Sequence, residues 1–365
     1  MKKWILFVFA ILFVGIGALV YKGSTMGYED YLDLAATFHE REDYDQEMFN
    51  LEKALQESLE INGQLSLETA DIYRRMGLCD RDTDKIAEDF DKSILIYEIA
   101  GKKDLADLYY EKGKRLIENG GGRAVFLGEE SLKQAIQLYE QDGYEDSDKL
   151  CESCLILANL ETDREKQWVR LKQAESYFWD LSKENGWQIG NRIYRLMGIN
   201  RFQEGMYEEA FGYFDAMLIR AEDSEEKDVR QVMAEAQYLS GAALVLVDRA
   251  EEGKKRIEQA IVFYDVHNGK QPYEDAALAH TFLALAYGKL EPPGRQEVLE
   301  EGALALSYFT EKESIHNQDL RSMEYIKYIL QDAYESSFPE KGERDFEEWF
   351  QGISYLKASE YYFIN

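Results

Sequence analysis

The segment QEGMYEEAFGYFDAML, residues 203–218, decides the fold. One helical pattern ends at Gly205 and another starts at Tyr207, with Ala210 and Phe214 following at helical spacing. Glycine suits a turn that needs positive φ, and small residues let two helices approach closely. Only four prolines occur in 365 residues, so the sequence contains few helix breakers. The sequence therefore predicts an all-α protein built from helical hairpins.

The same order of large, small and turn residues recurs along the chain. Clear copies lie in residues 31–55, 135–154 and 241–260, and weaker ones in 67–99, 109–117, 280–308 and 325–356. This pattern resembles the tetratricopeptide repeat, a helix-turn-helix unit of about 34 residues. The resemblance implies an α-solenoid of about eight irregular hairpins over residues 28–356, with insertions in the turns CDRDTD, NGGGRAVFLG and EPPG. The repeat register through residues 158–190 stays open.

The N-terminal segment predicts a membrane anchor. An uncharged run from Trp4 to Tyr21 spans roughly 27 Å as a helix, close to the thickness of a hydrocarbon core. Two lysines precede the run and one follows it directly, which favours a cytoplasmic N-terminus. We therefore expect a cytoplasmic segment 1–3, a transmembrane helix 4–21 and a linker 22–27, with the bulk of the chain extracytoplasmic. The alternative is a cleaved signal peptide, which makes the protein secreted instead of a single-pass protein of the cell membrane.

The charge of the chain narrows the class of partner. The formal net charge is −29, and such a body repels the phosphate backbones of nucleic acids. A protein or peptide is the expected partner, and nucleic acid is not. The run DRDTDKIAEDFD offers Asp80, Asp82 and Asp84 as a weak candidate calcium site, but Lys85 stands where such a loop needs glycine. The favoured interpretation is that Asp82 or Thr83 caps a helix.

Other motifs predict structure and not chemistry. Cys151 and Cys154 fall mid-helix on the packing face, where buried structural cysteines are expected. The stretch NGGGR, residues 119–123, lacks the strand and the ending of a phosphate loop, and we interpret it as a flexible loop between helices. The four histidines have no nucleophile or zinc spacing. The sequence therefore predicts no enzyme and no cofactor.

The resemblance also implies where a partner binds. In tetratricopeptide repeats the first helix of each pair points side chains into a concave groove, and aromatic residues and arginine are enriched at binding hot spots. The positions of this sequence that match those places are Arg74, Arg75, Tyr110, Tyr139, Arg192, Arg195, Phe202, Tyr238 and Tyr328.

Two non-catalytic functions follow. The first is a membrane-tethered scaffold or adaptor that binds a protein or peptide in this groove. The alternative is a structural subunit of an envelope secretion or cell-wall assembly complex, docked through the membrane helix and the aromatic C-terminal tail, residues 357–365. Aromatic residues from Phe346 onward either fold back over the preceding pair or form a docking edge.

Overall fold

A computed structural model describes residues 26–102, 104–143, 147–178, 183–222, 229–267, 274–310 and 317–361. The predicted membrane helix 4–21, the segment before it and most of the linker lie outside these residues, as does the end of the C-terminal tail. Every regular element of the described part is an α-helix, which confirms the all-α prediction. Among those helices, none combines the length and apolar character that a membrane span requires.

The chain divides into two compact units, Met1–Leu160 and Glu161–Asn365, called here the N-terminal and C-terminal units. The N-terminal unit contains three hairpins and one further helix. Its helices are α1 (Tyr28–His39), α2 (Tyr44–Ile61), α3 (Leu67–Cys79), α4 (Thr83–Ile99), α5 (Leu105–Asn119), α6 (Gly122–Asp142) and α7 (Ser147–Leu160).

The C-terminal unit begins with one helix and continues with four hairpins. Its helices are α8 (Arg164–Phe178), α9 (Lys183–Gln203), α10 (Tyr207–Glu222), α11 (Val229–Leu246), α12 (Ala250–His267), α13 (Glu274–Lys289), α14 (Arg295–Thr310), α15 (Asn317–Ser337) and α16 (Glu343–Tyr361). In both units the first helix of a hairpin also packs against the first helix of the next, as α3, α5 and α7 do, and as α11, α13 and α15 do. We call α1, α3, α5, α7, α9, α11, α13 and α15 the inner helices.

The stretch at residues 203–218 forms the expected hairpin. Helix α9 ends at Gln203, and Gly205 takes φ +76° in the turn, a conformation that glycine adopts without strain. Ala210 and Phe214 of α10 are fully buried. A Cβ atom added to Gly198 of α9 would overlap the ring of Phe214, so the aromatic ring occupies the space that glycine leaves. A large side chain of α10 thus packs against a small residue of α9.

Two hairpins bring glycine against glycine. A Cβ atom on Gly241 of α11 would lie 2.8 Å from the carbonyl oxygen of Gly253 on α12, and one on Gly113 of α5 would lie 2.8 Å from that of Gly128 on α6. Both distances are shorter than a carbon and an oxygen tolerate without displacement of the backbone. These hairpins therefore pack backbone to backbone.

Two turn and register predictions need correction, and the register that stayed open can be described. The helix resumes at Gly122, so the expected long loop NGGGRAVFLG shrinks to a turn at Gly120 and Gly121, both with positive φ. Residues 135–154 do not form one repeat hairpin, because they run from α6, the second helix of the α5–α6 hairpin, into α7, which packs as an inner helix. The uncertain register at 158–190 contains the boundary between the two units, and α7 and α8 lie on opposite sides of it. With three hairpins in the N-terminal unit and four in the C-terminal unit, the described chain contains seven hairpins where about eight were predicted.

Cysteines and the C-terminal aromatic residues have packing roles. Cys151 and Cys154 are fully buried in the middle of α7, which confirms the structural interpretation. At the C-terminus Phe346 is fully buried, and the ring of Trp349 stacks on that of Tyr334 with centroids 5.4 Å apart. The first half of α16 therefore folds back onto α15. The predicted tail at 357–365 has no described side chains.

Candidate functional site

A cavity of about 510 Å³ lies among the inner helices of the C-terminal unit. Inner helices α9, α11, α13 and α15 supply most of its wall, and residues of α8 and α10 complete it. Its lining is mainly aromatic and aliphatic: Arg164, Ile199, Phe202, Gln203, Tyr207, Phe214, Tyr238, Leu239, Ala242, Leu278, Phe282 and Tyr325. We call it the aromatic cavity.

The rings of the aromatic cavity support one another. The ring centroid of Phe202 lies 5.1 Å from that of Tyr207 and 5.9 Å from that of Phe282, and both pairs meet edge to face. Phe282 in turn lies 6.4 Å from Tyr325. Such pairs prefer centroid separations of about 4.5–7 Å, so the rings hold each other in place. The wall of the cavity is thus formed before any ligand binds.

Tyr325 of α15 lines the cavity and is 40% exposed. Burial, together with the nearby phenols of Tyr207 and Tyr328, raises the pKa of Tyr325 to about 12. Tyr325 is therefore neutral at physiological pH and keeps its hydroxyl proton for hydrogen bonding. Tyr328, a predicted groove residue, is 71% exposed on the same helix and one turn further along.

A polar edge adjoins the cavity on the N-terminal side of the inner helices α9 and α11. Arg195 donates from Nε to Oε1 of Glu235 at 2.5 Å, and the Tyr238 hydroxyl donates to Oδ1 of Asp275 at 3.1 Å. Burial lowers the pKa of Arg195, but the carboxylate of Glu235 and the more distant Asp275 outweigh it, so the net shift is upward. Two carboxylates thus act on one guanidinium. The edge formed by Arg195, Glu235, Tyr238 and Asp275 is called the polar edge.

The predicted groove residues of the N-terminal unit are already engaged within the protein. Arg74 forms a two-pronged ion pair with Glu111 of the next inner helix, and Arg75 donates to the backbone carbonyl of Leu32 at 3.3 Å. These contacts join α1 to α3 and α3 to α5. The arginines therefore connect successive inner helices.

Buried tyrosines tie helices together as well. Tyr110 lies on an inner helix, but Tyr139 lies on α6, the second helix of its hairpin, so its predicted place in the groove is wrong. The hydroxyl of Tyr110 donates to Oε2 of Glu152 on α7 at 2.5 Å, and that of Tyr139 donates to Oδ1 of Asp107 at 2.5 Å. Both tyrosines are less than a tenth exposed. Because their hydroxyls are bound to carboxylates of the same unit, their visible role is to fix neighbouring helices.

The structure brings only part of the predicted set together. Phe202 and Tyr238 line the aromatic cavity, Arg195 lies at its polar edge, and Arg192 is exposed on the same helix as Arg195. The sequence analysis did not assign Phe282, Tyr325, Tyr207 or Phe214 to the groove. Phe282 of α13 contacts Phe202 of α9, and Tyr325 of α15 contacts Phe282 of α13. The sequence signal for both is an aromatic residue on an inner helix.

Of the three aspartates proposed for calcium, Asp80 and Asp82 accept hydrogen bonds in the turn between α3 and α4, and Asp84 pairs with Arg123 at 3.1 Å. Asp82 is the N-cap of α4, and its Oδ1 accepts from the backbone nitrogens of Asp84 and Lys85 at 2.9 and 3.3 Å. Asp80 accepts from the nitrogen of Asp82, which confirms the capping interpretation. No group of three or more His, Cys, Asp or Glu side chains is placed to hold a metal ion in the part of the chain described above.

Comparisons with known proteins identify the fold. No family model matches the sequence, and no curated protein matches it. The chain is similar to the crystal structure of the apo form of RapI, a TPR-like helical-repeat protein, with a TM-score of 0.57 and 11% identity over 92% of this chain and 98% of that chain. The prediction of a TPR-like helical-repeat fold is confirmed.

Two further solved structures match less closely in shape. One is BtubC (BKLC) from P. vanneervenii, with a TM-score of 0.45 and 13% identity over 64% of this chain and 91% of that chain. The other is a monomeric mutant of IFIT1 with Gppp-AAAA, with a TM-score of 0.30 and 13% identity over 92% of this chain and 66% of that chain.

Proposed function

We propose that this protein is a non-catalytic scaffold that binds a protein or peptide partner on the inner helices of its C-terminal unit. The aromatic cavity is the observation that carries the proposal, because it combines predicted groove residues Phe202 and Tyr238 with preformed apolar walls. Concave, mostly apolar sites with a few placed polar groups are typical binding sites. Aromatic side chains there offer a large contact area to a partner.

In this proposal residues 4–21 form a single membrane helix and hold the two units on the extracytoplasmic side. The support is the uncharged run between Trp4 and Tyr21 and the lysines before it. Tethering raises the local concentration of a partner that is attached to the same membrane. The scaffold then acts by holding its partner close to the membrane, without catalysing a reaction.

Site-specific photo-crosslinking in intact cells tests the binding proposal. A photoreactive phenylalanine analogue replaces Tyr328, which is 71% exposed on inner helix α15, or Val262, which is 66% exposed on outer helix α12. The two positions are matched in exposure and lie in the same unit. We expect a discrete protein adduct from position 328 that is missing from position 262. The same adducts at both positions, or none at position 328, would contradict binding on the inner helices.

Fractionation and protease treatment test the tether. The full chain should stay with membranes during alkaline carbonate extraction, and a chain that starts at residue 26 should not. External protease should digest the full chain in intact cells or spheroplasts while a cytoplasmic marker protein survives. Protection of the full chain would place the two units on the other side of the membrane and remove this part of the proposal.

A further inference from the structure

We infer that the aromatic cavity binds a peptide segment in which an apolar side chain has acidic residues close beside it, with a carboxylate of the peptide on the guanidinium of Arg164. This inference deepens the proposed function and rests on it. Three observations support it: the apolar wall of the cavity, the arginine at its rim and the charge of α9.

The wall of the cavity selects an apolar anchor. Its volume of about 510 Å³ falls within the range of ligand sites. Phe282 is 3% exposed, and its ring lies between those of Phe202 and Tyr325, with centroids 5.9 and 6.4 Å away. A charged group placed against these rings loses hydration, whereas an apolar side chain gains by leaving water. The part of the ligand that enters the cavity is therefore apolar.

Arg164 gives the rim of the cavity a fixed positive charge. Among the described residues that line the cavity, it is the only charged one. Its Nη1 donates to the backbone carbonyl of Gln203 at 2.5 Å, which holds the guanidinium at the rim. Arginine has five N–H donors, and this is the one hydrogen bond of the Arg164 side chain to the described chain. Several donors thus remain for a ligand.

The nearest carboxylate does not satisfy this arginine. Oε1 of Glu204 lies 3.9 Å from Nη1 of Arg164, beyond the roughly 2.7–3.2 Å of a hydrogen bond. The Arg164 side chain is 49% exposed and that of Glu204 is 28% exposed, so the arginine is the more accessible member of the pair. At the polar edge the arginine is again the more accessible member, because Arg195 is 41% exposed and Glu235 is 15% exposed. A carboxylate of the ligand can form the short, two-pronged contact with Arg164 that Glu204 does not form.

The charge of α9 supports a carboxylate at this rim. Residues 185–203 contain three arginines and neither Asp nor Glu, although the whole chain carries a net charge of −29. Arg201 is 8% exposed, donates to Oδ1 of Asn200 and to the sulfur of Met206, and belongs to none of the ion pairs of the described chain. Asn200 also donates from Nδ2 to the backbone carbonyl of Arg164 at 3.1 Å, so this buried cation lies close to the rim. A carboxylate on Arg164 gains from the second positive charge nearby.

Peptides of equal net charge test the inference, because the net charge of the protein then affects them alike. The reference is a labelled eleven-residue peptide with capped ends, a central phenylalanine, glutamate two positions away on each side and glutamine elsewhere. Its isomer carries the two glutamates at the ends, about 17 Å from the phenylalanine in an extended peptide and beyond the Debye length of about 10 Å at 0.1 M salt. Fluorescence anisotropy measures the binding of each peptide to the purified full chain in detergent micelles. We expect the reference to bind about fivefold more tightly than the isomer.

Two further sets of peptides test the anchor and the sign of the charge. A reference peptide with alanine in place of phenylalanine should bind at least about tenfold more weakly, because it loses the apolar side chain. An isomer pair with lysine in place of glutamate should show the opposite order, with the end isomer binding more tightly, because lysine beside the anchor meets Arg164.

Variants of the protein assign the effect to one residue. Arg164→Gln removes the charge at the rim and should make the two glutamate isomers bind equally. Lys166→Gln is the control, since Lys166 is exposed on the same helix, carries the same charge and is not among the described lining residues. It should preserve the difference between the isomers. A urea midpoint within about 0.25 M of the unaltered chain shows that a variant is folded, and the comparison of isomers on the unaltered chain needs no variant.

Several outcomes would overturn the inference. Equal affinity for the alanine and phenylalanine peptides removes the apolar anchor. Equal affinity of the unaltered chain for the two glutamate isomers, or equal effects of Arg164→Gln and Lys166→Gln, removes the contact with Arg164. A labelled single-stranded RNA that binds more tightly than the reference peptide shows a different class of ligand, and no binding of any peptide also removes the inference. Crosslinking at Tyr328 together with failed peptide binding leaves the proposed function standing, whereas failure of both removes both.

Discussion

The contact between Gly241 and Gly253 predicts that one methyl group destabilises the C-terminal unit. In Gly241→Ala the new Cβ atom would lie 2.6 Å from Cγ1 of Ile257 and 2.8 Å from the carbonyl oxygen of Gly253. Ile257 is fully buried, so neither neighbour yields without moving the helices apart. Overpacking of this kind costs about 3 kcal/mol, and alanine recovers about 1 kcal/mol through its higher helix propensity. The expected net loss is about 2 kcal/mol.

Gly212→Ala is the matched control. Gly212 lies inside α10 of the same unit, and a Cβ atom there meets nothing within 4 Å. The same substitution should therefore stabilise by about 1 kcal/mol through helix propensity alone. The two variants differ only in what the methyl group touches.

Tryptophan fluorescence during urea denaturation measures the effect in the right unit. Four of the five tryptophans lie in the C-terminal unit, namely Trp168, Trp179, Trp187 and Trp349. For a slope of roughly 2 kcal/mol per molar urea, Gly241→Ala should lower the midpoint by about 1 M and Gly212→Ala should raise it by about 0.5 M. A midpoint for Gly241→Ala at or above that of the unaltered chain would refute the close backbone packing of α11 and α12.

Two further predictions concern ionisable groups. Asp89 of α4 is 7% exposed, and burial raises its pKa from 3.8 to about 6, although Lys92 opposes the shift. The folded chain thus holds a proton that the unfolded chain releases, so this group's contribution to stability falls as pH rises from about 4 to 6. Asp89→Asn should stabilise α4 by about 2 kcal/mol at pH 7 and not at pH 4. Hydrogen exchange of the α4 amides at the two pH values measures this difference. The same pH dependence of stability in both proteins would argue against a buried carboxyl. Arg195→Glu should lower the urea midpoint of the C-terminal unit by about 1 M, because Glu235 then faces a like charge. Arg344→Glu is the control: its side chain is 91% exposed, so the midpoint should change by no more than about 0.25 M. Equal midpoints for the two charge reversals would show that the Arg195 ion pair contributes no stability.

Local residue chemistry was enough to predict the hairpins. Gly205 needed positive φ, and Gly198 left space for Phe214, so the turn and the packing of α9 on α10 follow from residue types alone. The error at residues 135–154 has a physical reason, because the turn between two hairpins can carry the same residue types as the turn within one. Periodicity alone does not distinguish these two turns.

The site was predictable only in part because its members come from helices far apart in sequence. Phe202 and Tyr238 were found from their repeat positions, but the approach of Phe282 and Tyr325 depends on how α13 and α15 pack. Arg74 and Arg195 looked available for a partner because their acids, Glu111 and Glu235, lie 37 and 40 residues later. An acid about one repeat beyond a groove arginine is the sequence signal for such a tie.

The polar ties between inner helices have a consequence for how the units come apart. Arg74 ties α3 to α5, and Tyr110 ties α5 to α7, so each of these ties joins two adjacent inner helices. Unfolding of one hairpin can therefore affect a distant hairpin only through the hairpins that lie between them. Mechanical pulling on α1 should therefore peel the N-terminal unit away one hairpin at a time, with each rupture sparing the hairpins beyond it.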